Sequence, residues 1–167
     1  MDIAYLGHGL LLASLWLFTN SRIRQFFLPN ASVASAVGFM VVMLLPYPYL
    51  VYINLVQKGR YQKFYLAIAC ASVLNFAVSV ALQLLNIRDF LDTMISSHLI
   101  IAMLVILCAV TTILDVRSGK VKEYKEVAYG LIGLMIAAVW EISLVYRPAA
   151  SYNGLALCIG LTVLLFA

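Results

Sequence analysis

Glu141 and His98 are ionisable side chains that lie inside long apolar stretches of this sequence. Glu141 is the one carboxylate within an apolar run, in Val-Trp-Glu-Ile-Ser, and His98 lies near the start of another run. Because burying either group among apolar side chains costs free energy, both are candidates for contacting a ligand or sensing protonation. Gln83, Arg88 and Arg147 close neighbouring runs and could supply partner charges or hydrogen bonds. These five residues predict a polar ligand pocket, although interfacial solvation and hydrogen bonding between helices would explain them without a ligand.

Four further residues have predicted architectural roles. Asn75 lies near the middle of an apolar run and His8 lies within the first run, where a single amide or imidazole usually joins helices through hydrogen bonds. Pro46 and Pro48, in Leu-Leu-Pro-Tyr-Pro-Tyr, each remove a backbone donor and obstruct the preceding turn. The sequence therefore predicts a kink there, either as a hinge that transmits motion or as a fixed bend.

The sequence lacks the residue patterns that known kinds of catalysis require. It contains no HExxH zinc helix and no Gly-x-Ser-x-Gly elbow, and its two histidines lie far apart in the chain. Cys70, Cys108 and Cys158 all fall inside apolar runs, without the CxxC or Cys-His spacing of a metal site. We therefore expect neither catalysis by these 167 residues nor a cofactor or metal ion.

These residues are set in a chain whose composition is 65% hydrophobic and 11% charged. A soluble domain is roughly half apolar and a quarter charged, and it does not bury apolar runs of this length. Runs that lie in lipid are helical, because the bilayer cannot hydrogen-bond to backbone amides. The predicted fold is all-α: a polytopic membrane helical bundle of about six transmembrane helices in a single domain, 1–167. The predicted spans are 3–18, 33–56, 64–85, 94–114, 127–145 and 154–167.

The first and last apolar runs are shorter than the inner four. A membrane crossing needs about 20 residues, which the inner runs reach and the outer runs do not. We therefore expect both outer helices to be truncated and the chain to be part of a larger protein, with an output domain beyond Ala167.

Lys and Arg residues are distributed unevenly among the loops. Seven of the eleven lie in the second and fourth loops, at Lys58, Arg60, Lys63, Arg117, Lys120, Lys122 and Lys125. Because cytoplasmic loops carry the excess of these residues, both loops and both chain ends are predicted to be cytoplasmic, in a multi-pass protein of the plasma membrane. The net charge of +4 forms no extended basic face, so nucleic acid is not an expected partner.

Several different short motifs occur one after another along nearly the whole chain. They are Tyr5-Leu6-Gly7, Leu15-Trp16-Leu17, Asn20-Ser21-Arg22, Gln25-Phe26-Phe27, Leu44-Leu45-Pro46-Tyr47-Pro48, Ala81-Leu82-Gln83-Leu84-Leu85-Asn86 and Asp89-Phe90-Leu91, followed by His98. Their order and spacing resemble the membrane region of Clostridia-type bacterial receptors that carry a GGDEF diguanylate cyclase domain. The chain is thus similar to the seven-transmembrane receptors with diverse intracellular signalling modules.

The resemblance implies a sensory, signal-transducing membrane region whose parent protein is a diguanylate cyclase. It also implies an extracytoplasmic ligand of unknown identity and a homodimer formed through the output domain, because GGDEF active sites lie between two chains. The residues themselves leave open a small multi-pass transporter or channel subunit, for which Asn75 and the off-centre prolines offer the support. A structural subunit of a membrane complex is a third possibility without positive evidence.

Overall fold

The structure, a computed structural model, describes residues 2–145 and 155–166, with side chains described for 4–144 and 156–166. All regular structure in these residues is helical, so the predicted all-α class is confirmed. The described α-helices are α1 (Asp2–Asn20), α2 (Ala31–Leu44), α3 (Pro46–Val56), α4 (Gln62–Leu84), α5 (Phe90–Arg117), α6 (Lys125–Val145) and α7 (Leu155–Phe166). Short 3-10 helices at Arg22–Phe26 and Lys120–Tyr124 precede α2 and α6.

Four stretches of the described chain are long and apolar enough to cross a membrane. They are Ala31–Val56, Gln62–Leu84, Phe90–Arg117 and Lys120–Leu144, and a shorter apolar helix covers Ala156–Phe166. These stretches coincide with predicted spans to within a few residues at most ends. α5 is longer at both ends than the predicted span 94–114, because a helix continues through polar residues that the apolar run leaves out.

The chain divides into two compact units, Met1–Leu104 and Val105–Ala167, whereas the sequence predicts a single domain. The division falls inside the continuous helix α5. In the first unit, α1 packs against α2 and α3, and both of those helices pack against α4. In the second unit, α6 packs against α7.

Helix α1 approaches its neighbours through small residues. A side-chain carbon at Gly9 would lie 2.8 Å from the ring of Tyr49 in α3. One at Gly38 in α2 would lie 3.0 Å from Thr19 Oγ1 in α1. Ala13, on α1, is fully buried. Because lipid is as apolar as the side chains, helices in a membrane associate through this kind of close packing rather than through hydrophobic burial.

The second predicted span consists of two helices. α2 ends at Leu44 and α3 begins at Pro46, which is where the sequence predicts a kink. Because proline has no N–H, Pro46 and Pro48 leave the carbonyls one turn earlier without their usual donors. In this region the buried Ser72 of α4 donates from Oγ to the Met43 carbonyl at 3.1 Å. A neighbouring helix thus bonds to the backbone where the span is interrupted.

Two tight turns follow α3 and α4. In the first, Gly59 has a φ of 70° and its N–H donates to the Asn54 carbonyl at 2.8 Å. In the second, Asn86 has a φ of 53°, and the Ile87 N–H donates to the Leu82 carbonyl at 3.0 Å. Glycine and asparagine adopt this left-handed conformation at the least cost. Each helix is therefore terminated by bonds within its own local backbone.

Candidate ligand groove between helices α6 and α7

Helices α6 and α7 meet at small residues. A side-chain carbon at Gly160 of α7 would lie 2.7 Å from Ala137 Cβ and 3.3 Å from the Gly133 carbonyl, both in α6. Gly133 and Ala137 are separated by one helical turn, as are Ala156 and Gly160, so each pair lies on one face of its helix. Pairs of small residues with this spacing allow two helix backbones to approach closely in a membrane.

A groove of about 550 Å³ lies between the two helices at this contact. Its volume falls within the range of small-molecule sites in proteins, and its walls are mainly apolar, as such sites usually are. The lining residues are Gly133, Ile136, Ala137, Trp140, Glu141 and Leu144 of α6, and Ala156, Ile159, Gly160 and Val163 of α7. Glu141 is the one ionisable residue among the described residues of this lining.

Glu141 lies in the wall of the groove one turn after Ala137, on the face of α6 that meets α7. Its side chain is only 8% exposed. Among the described residues, its carboxylate has no hydrogen-bond or ion-pair partner. Trp140, the preceding residue, also lines the groove and is 53% exposed. Because a buried carboxylate without a partner is costly, this arrangement favours binding of a donor or cation over a purely apolar contact.

Among the described residues, the groove is lined by α6 and α7, and this lining does not include Gln83, Arg88 or His98. Gln83, Arg88 and His98 belong to the first compact unit. Gln83 Oε1 accepts from the Phe90 N–H at 2.8 Å and so caps the start of α5. Arg88 is exposed in the turn before α5, whereas His98 is buried within α5. Arg147 lies outside the described residues.

Asn75 joins α4 to α5. Its Nδ2 donates to Ser97 Oγ at 2.9 Å, and its Oδ1 accepts from Ser96 Oγ at 2.6 Å. His8 was assigned the same role from the sequence, but within the described chain it makes no hydrogen bond to another helix. Its Nδ1 lies 2.6 Å from the Ala4 carbonyl of its own helix, and its side chain is exposed. An imidazole on an exposed helix face finds its nearest acceptor one turn earlier in the same helix, which is why the predicted contact is absent.

Asp115 is a buried polar residue that sequence reasoning placed in a loop. α5 continues to Arg117, so Asp115 lies within the helix, and its side chain is 0% exposed. Its Oδ2 accepts from the Tyr124 hydroxyl at 2.7 Å. Thr111 and Cys108, one and two turns earlier, are also buried. This helical spacing is the signal that could have placed Asp115 on the same buried face.

A second buried polar pair lies at the turn between α3 and α4. Gln57 is 0% exposed, and its Oε1 accepts from the buried Tyr65 hydroxyl at 2.9 Å. Sequence reasoning treated Gln57 as the first residue of a polar loop and assigned it no role. Because a buried amide must be hydrogen-bonded, the pair fixes the turn rather than forming an open site.

The described residues therefore define an all-α protein with membrane-length helices and an apolar groove that contains one carboxylate. Among these residues, no three His, Cys, Asp or Glu side chains are grouped as metal ligands would be. Comparisons with protein-family models, curated proteins and solved structures find no significant match to this chain.

Proposed function

We propose that this chain is the transmembrane sensory and signal-transduction module of a bacterial receptor, specifically the input region of a membrane-bound GGDEF diguanylate cyclase. The observation that carries the proposal is the interruption of the second span between Leu44 and Pro46. The motif around this interruption, Leu44-Leu45-Pro46-Tyr47-Pro48, is also part of the resemblance to these receptors.

An interrupted span can act as a joint because it lacks some of its internal backbone hydrogen bonds. Here the Ser72 hydroxyl of α4 bonds to the Met43 carbonyl beside the interruption. A shift of α4 against α2 would therefore change a hydrogen bond at the joint itself. In the predicted orientation the joint lies in the cytoplasmic half of the membrane. Its movement would reach an output domain on the cytoplasmic side.

The same orientation places the groove toward the opposite side of the membrane. Glu141 lies in the outer third of its predicted span, on the side from which an extracytoplasmic ligand would arrive. A sensor needs this separation, because the ligand and the output act on opposite faces of the plasma membrane. The proposal thus assigns reception to the α6–α7 groove and transmission to the α2–α3 joint.

Replacing both Pro46 and Pro48 with alanine would remove the α2–α3 joint in the complete receptor. Alanine restores two N–H donors and favours a continuous helix, so we expect cellular cyclic di-GMP to change several-fold at an equal amount of protein in the membrane. Pro29→Ala is the matched control, because Pro29 is exposed before α2 and lies outside the helix. The proposal would be contradicted by unchanged cyclic di-GMP in the double variant, or by the absence of a GG(D/E)EF motif in the coding sequence after Ala167.

A small multi-pass transporter or channel subunit is the alternative function. The interrupted span favours it as well, since transporters often bind substrates and ions at broken helices. Reconstitution into liposomes separates the two functions. Ligand-dependent flux would favour transport, whereas a lack of flux together with proline-dependent cyclic di-GMP would favour the receptor.

A further inference from the structure

We propose that the α6–α7 groove binds a cationic amphiphile, a molecule that joins one protonated amine to an apolar body. The amine lies at Glu141 and Trp140, and the apolar body lies along the groove. That this ligand is the signal of a receptor rests on the proposed function; the binding itself does not.

The apolar side chains that line the groove indicate that the ligand has an apolar body. Ile136, Ile159 and Val163 line it and are each about half exposed or more, at 66%, 56% and 45%. The floor offers little bulk, because Gly133 and Gly160 have no side chain there. Branched apolar walls around small residues suit a narrow aliphatic or aromatic body.

Glu141 is the residue that indicates a positive charge on the ligand. Glu141 as a residue is more than nine-tenths buried, lines the groove and has no partner for its carboxylate among the described residues. An anionic ligand would add like charge to this site, and an uncharged apolar ligand would bury the carboxylate further without pairing it. A protonated amine supplies both a counter-charge and hydrogen-bond donors. Charge complementarity therefore selects one class of ligand from those that the apolar walls would accept.

Trp140 is the second residue that we propose contacts the amine. Trp140 lines the same groove as Glu141 and is 53% exposed. Aromatic faces attract cations, and tryptophan does so most strongly. A groove lined by both an indole and a carboxylate therefore favours an ammonium group over a neutral hydroxyl.

Photolabelling of the intact protein in vesicles of zwitterionic lipid tests the proposal. The probe is dodecylamine with a diazirine on its chain, and the matched control probe is dodecanol with the same diazirine. We expect the amine to label peptides of α6 and α7 at least about tenfold more than the alcohol at equal concentration. Unlabelled dodecylamine should compete for this labelling, and unlabelled dodecanol should not.

Substitutions assign the binding to the two residues. Glu141→Gln should lower amine labelling about tenfold, to the level of the alcohol, and Trp140→Leu should lower it several-fold. Glu126→Gln is the matched control, because Glu126 is exposed at the start of the same helix. Circular dichroism shows whether each variant keeps its helices, and the competition between amine and alcohol in the unsubstituted protein needs no variant.

Equal labelling by amine and alcohol, or full amine labelling of a folded Glu141→Gln variant, would overturn the proposal. The readout is independent of cyclic di-GMP. Specific labelling without any effect of the ligand on cyclic di-GMP would therefore contradict the ligand's role as the signal and leave the binding itself supported. A proline-dependent output without amine-specific labelling would contradict the ligand class alone.

Discussion

Asn75 allows the contribution of an interhelical contact to be measured at a single residue. Asn75→Ala removes the bonds to Ser96 and Ser97 without adding bulk. We expect the free energy of unfolding in detergent micelles to fall by about 1 kcal/mol, as is typical of such bonds in membrane proteins. Ser143→Ala is the control, because the Ser143 hydroxyl donates to the Trp140 carbonyl of its own helix. An equal loss in both variants would argue against a bridging role for Asn75.

Tyr124 donates a hydrogen bond to the buried carboxylate of Asp115. Tyr124→Phe keeps the ring but removes the hydroxyl that donates to Asp115 Oδ2 at 2.7 Å. We expect a loss of about 1 to 3 kcal/mol in the free energy of unfolding, measured by denaturant titration in micelles. Tyr129→Phe is the matched control, since Tyr129 is 62% exposed in α6. If the two variants unfold alike, the Asp115–Tyr124 bond contributes little.

The candidate residues that the sequence makes easiest to recognise are those whose polarity contrasts with a long apolar run. Glu141 and Asn75 stand out in this way, and the structure places them at a groove and at a helix contact. Asp115 follows directly after an apolar run, so the edge of the run hid a residue that the helix buries. His8 shows the reverse error, because a polar residue within an apolar run can still lie on an exposed face.

At the level of the helices, the close contact between α6 and α7 can be tested by a substitution. Gly160→Ala would place a carbon 2.7 Å from Ala137 Cβ and 3.2 Å from Leu134 Cα, so α7 has to move away from α6. We expect the free energy of unfolding to fall by about 1 to 3 kcal/mol, the usual cost of overpacking. Gly7→Ala is the control, because nothing lies within 4 Å of the added carbon. Thermal unfolding in micelles compares the two, and a Gly160→Ala variant as stable as Gly7→Ala would contradict the close contact.

Helix positions were predictable because the length of an apolar run sets the length of a helix in lipid. The residues at which the helices end were less predictable. The 3-10 helices Arg22–Phe26 and Lys120–Tyr124 lie in polar segments that sequence reasoning treated as loops. The break between α2 and α3 was predictable from Pro46 and Pro48, since proline removes a donor whatever surrounds it. The hydroxyl of Ser72 that bonds there was not, because its partner lies in another helix.

For the whole molecule, the predicted orientation in the membrane can be tested with fusion reporters in the turns. Reporters at Gly59 and Gly119 should report a cytoplasmic location, and one at Ile87 an external location, because Lys and Arg concentrate in the loops around Gly59 and Gly119. Paired reporters that are active on opposite sides of the membrane provide the measurement. An external signal from Gly59 or Gly119 would reverse the orientation and place Glu141 toward the cytoplasm.

The division of the chain at Leu104 and Val105 is the feature of the whole molecule that the sequence did not indicate. Neither proline, glycine nor charge marks this point, which lies in an unbroken apolar run. Such a division depends on which helices pack together, and packing between distant segments leaves no local pattern. The same limit explains why Gln83, Arg88 and His98 were predicted to share a pocket with Glu141, whereas among the described residues they do not line its groove.

The turn after α3 also has a consequence for how the protein is made. Its closing bond, from the Gly59 N–H to the Asn54 carbonyl, joins near neighbours in the sequence and needs no later part of the chain. The turn can therefore form while α5 is still being translated. α3 and α4 can then enter the bilayer together as a helical hairpin, with the Gln57–Tyr65 bond at its closed end. The insertion machinery would then receive α3 and α4 already paired at this stage of synthesis.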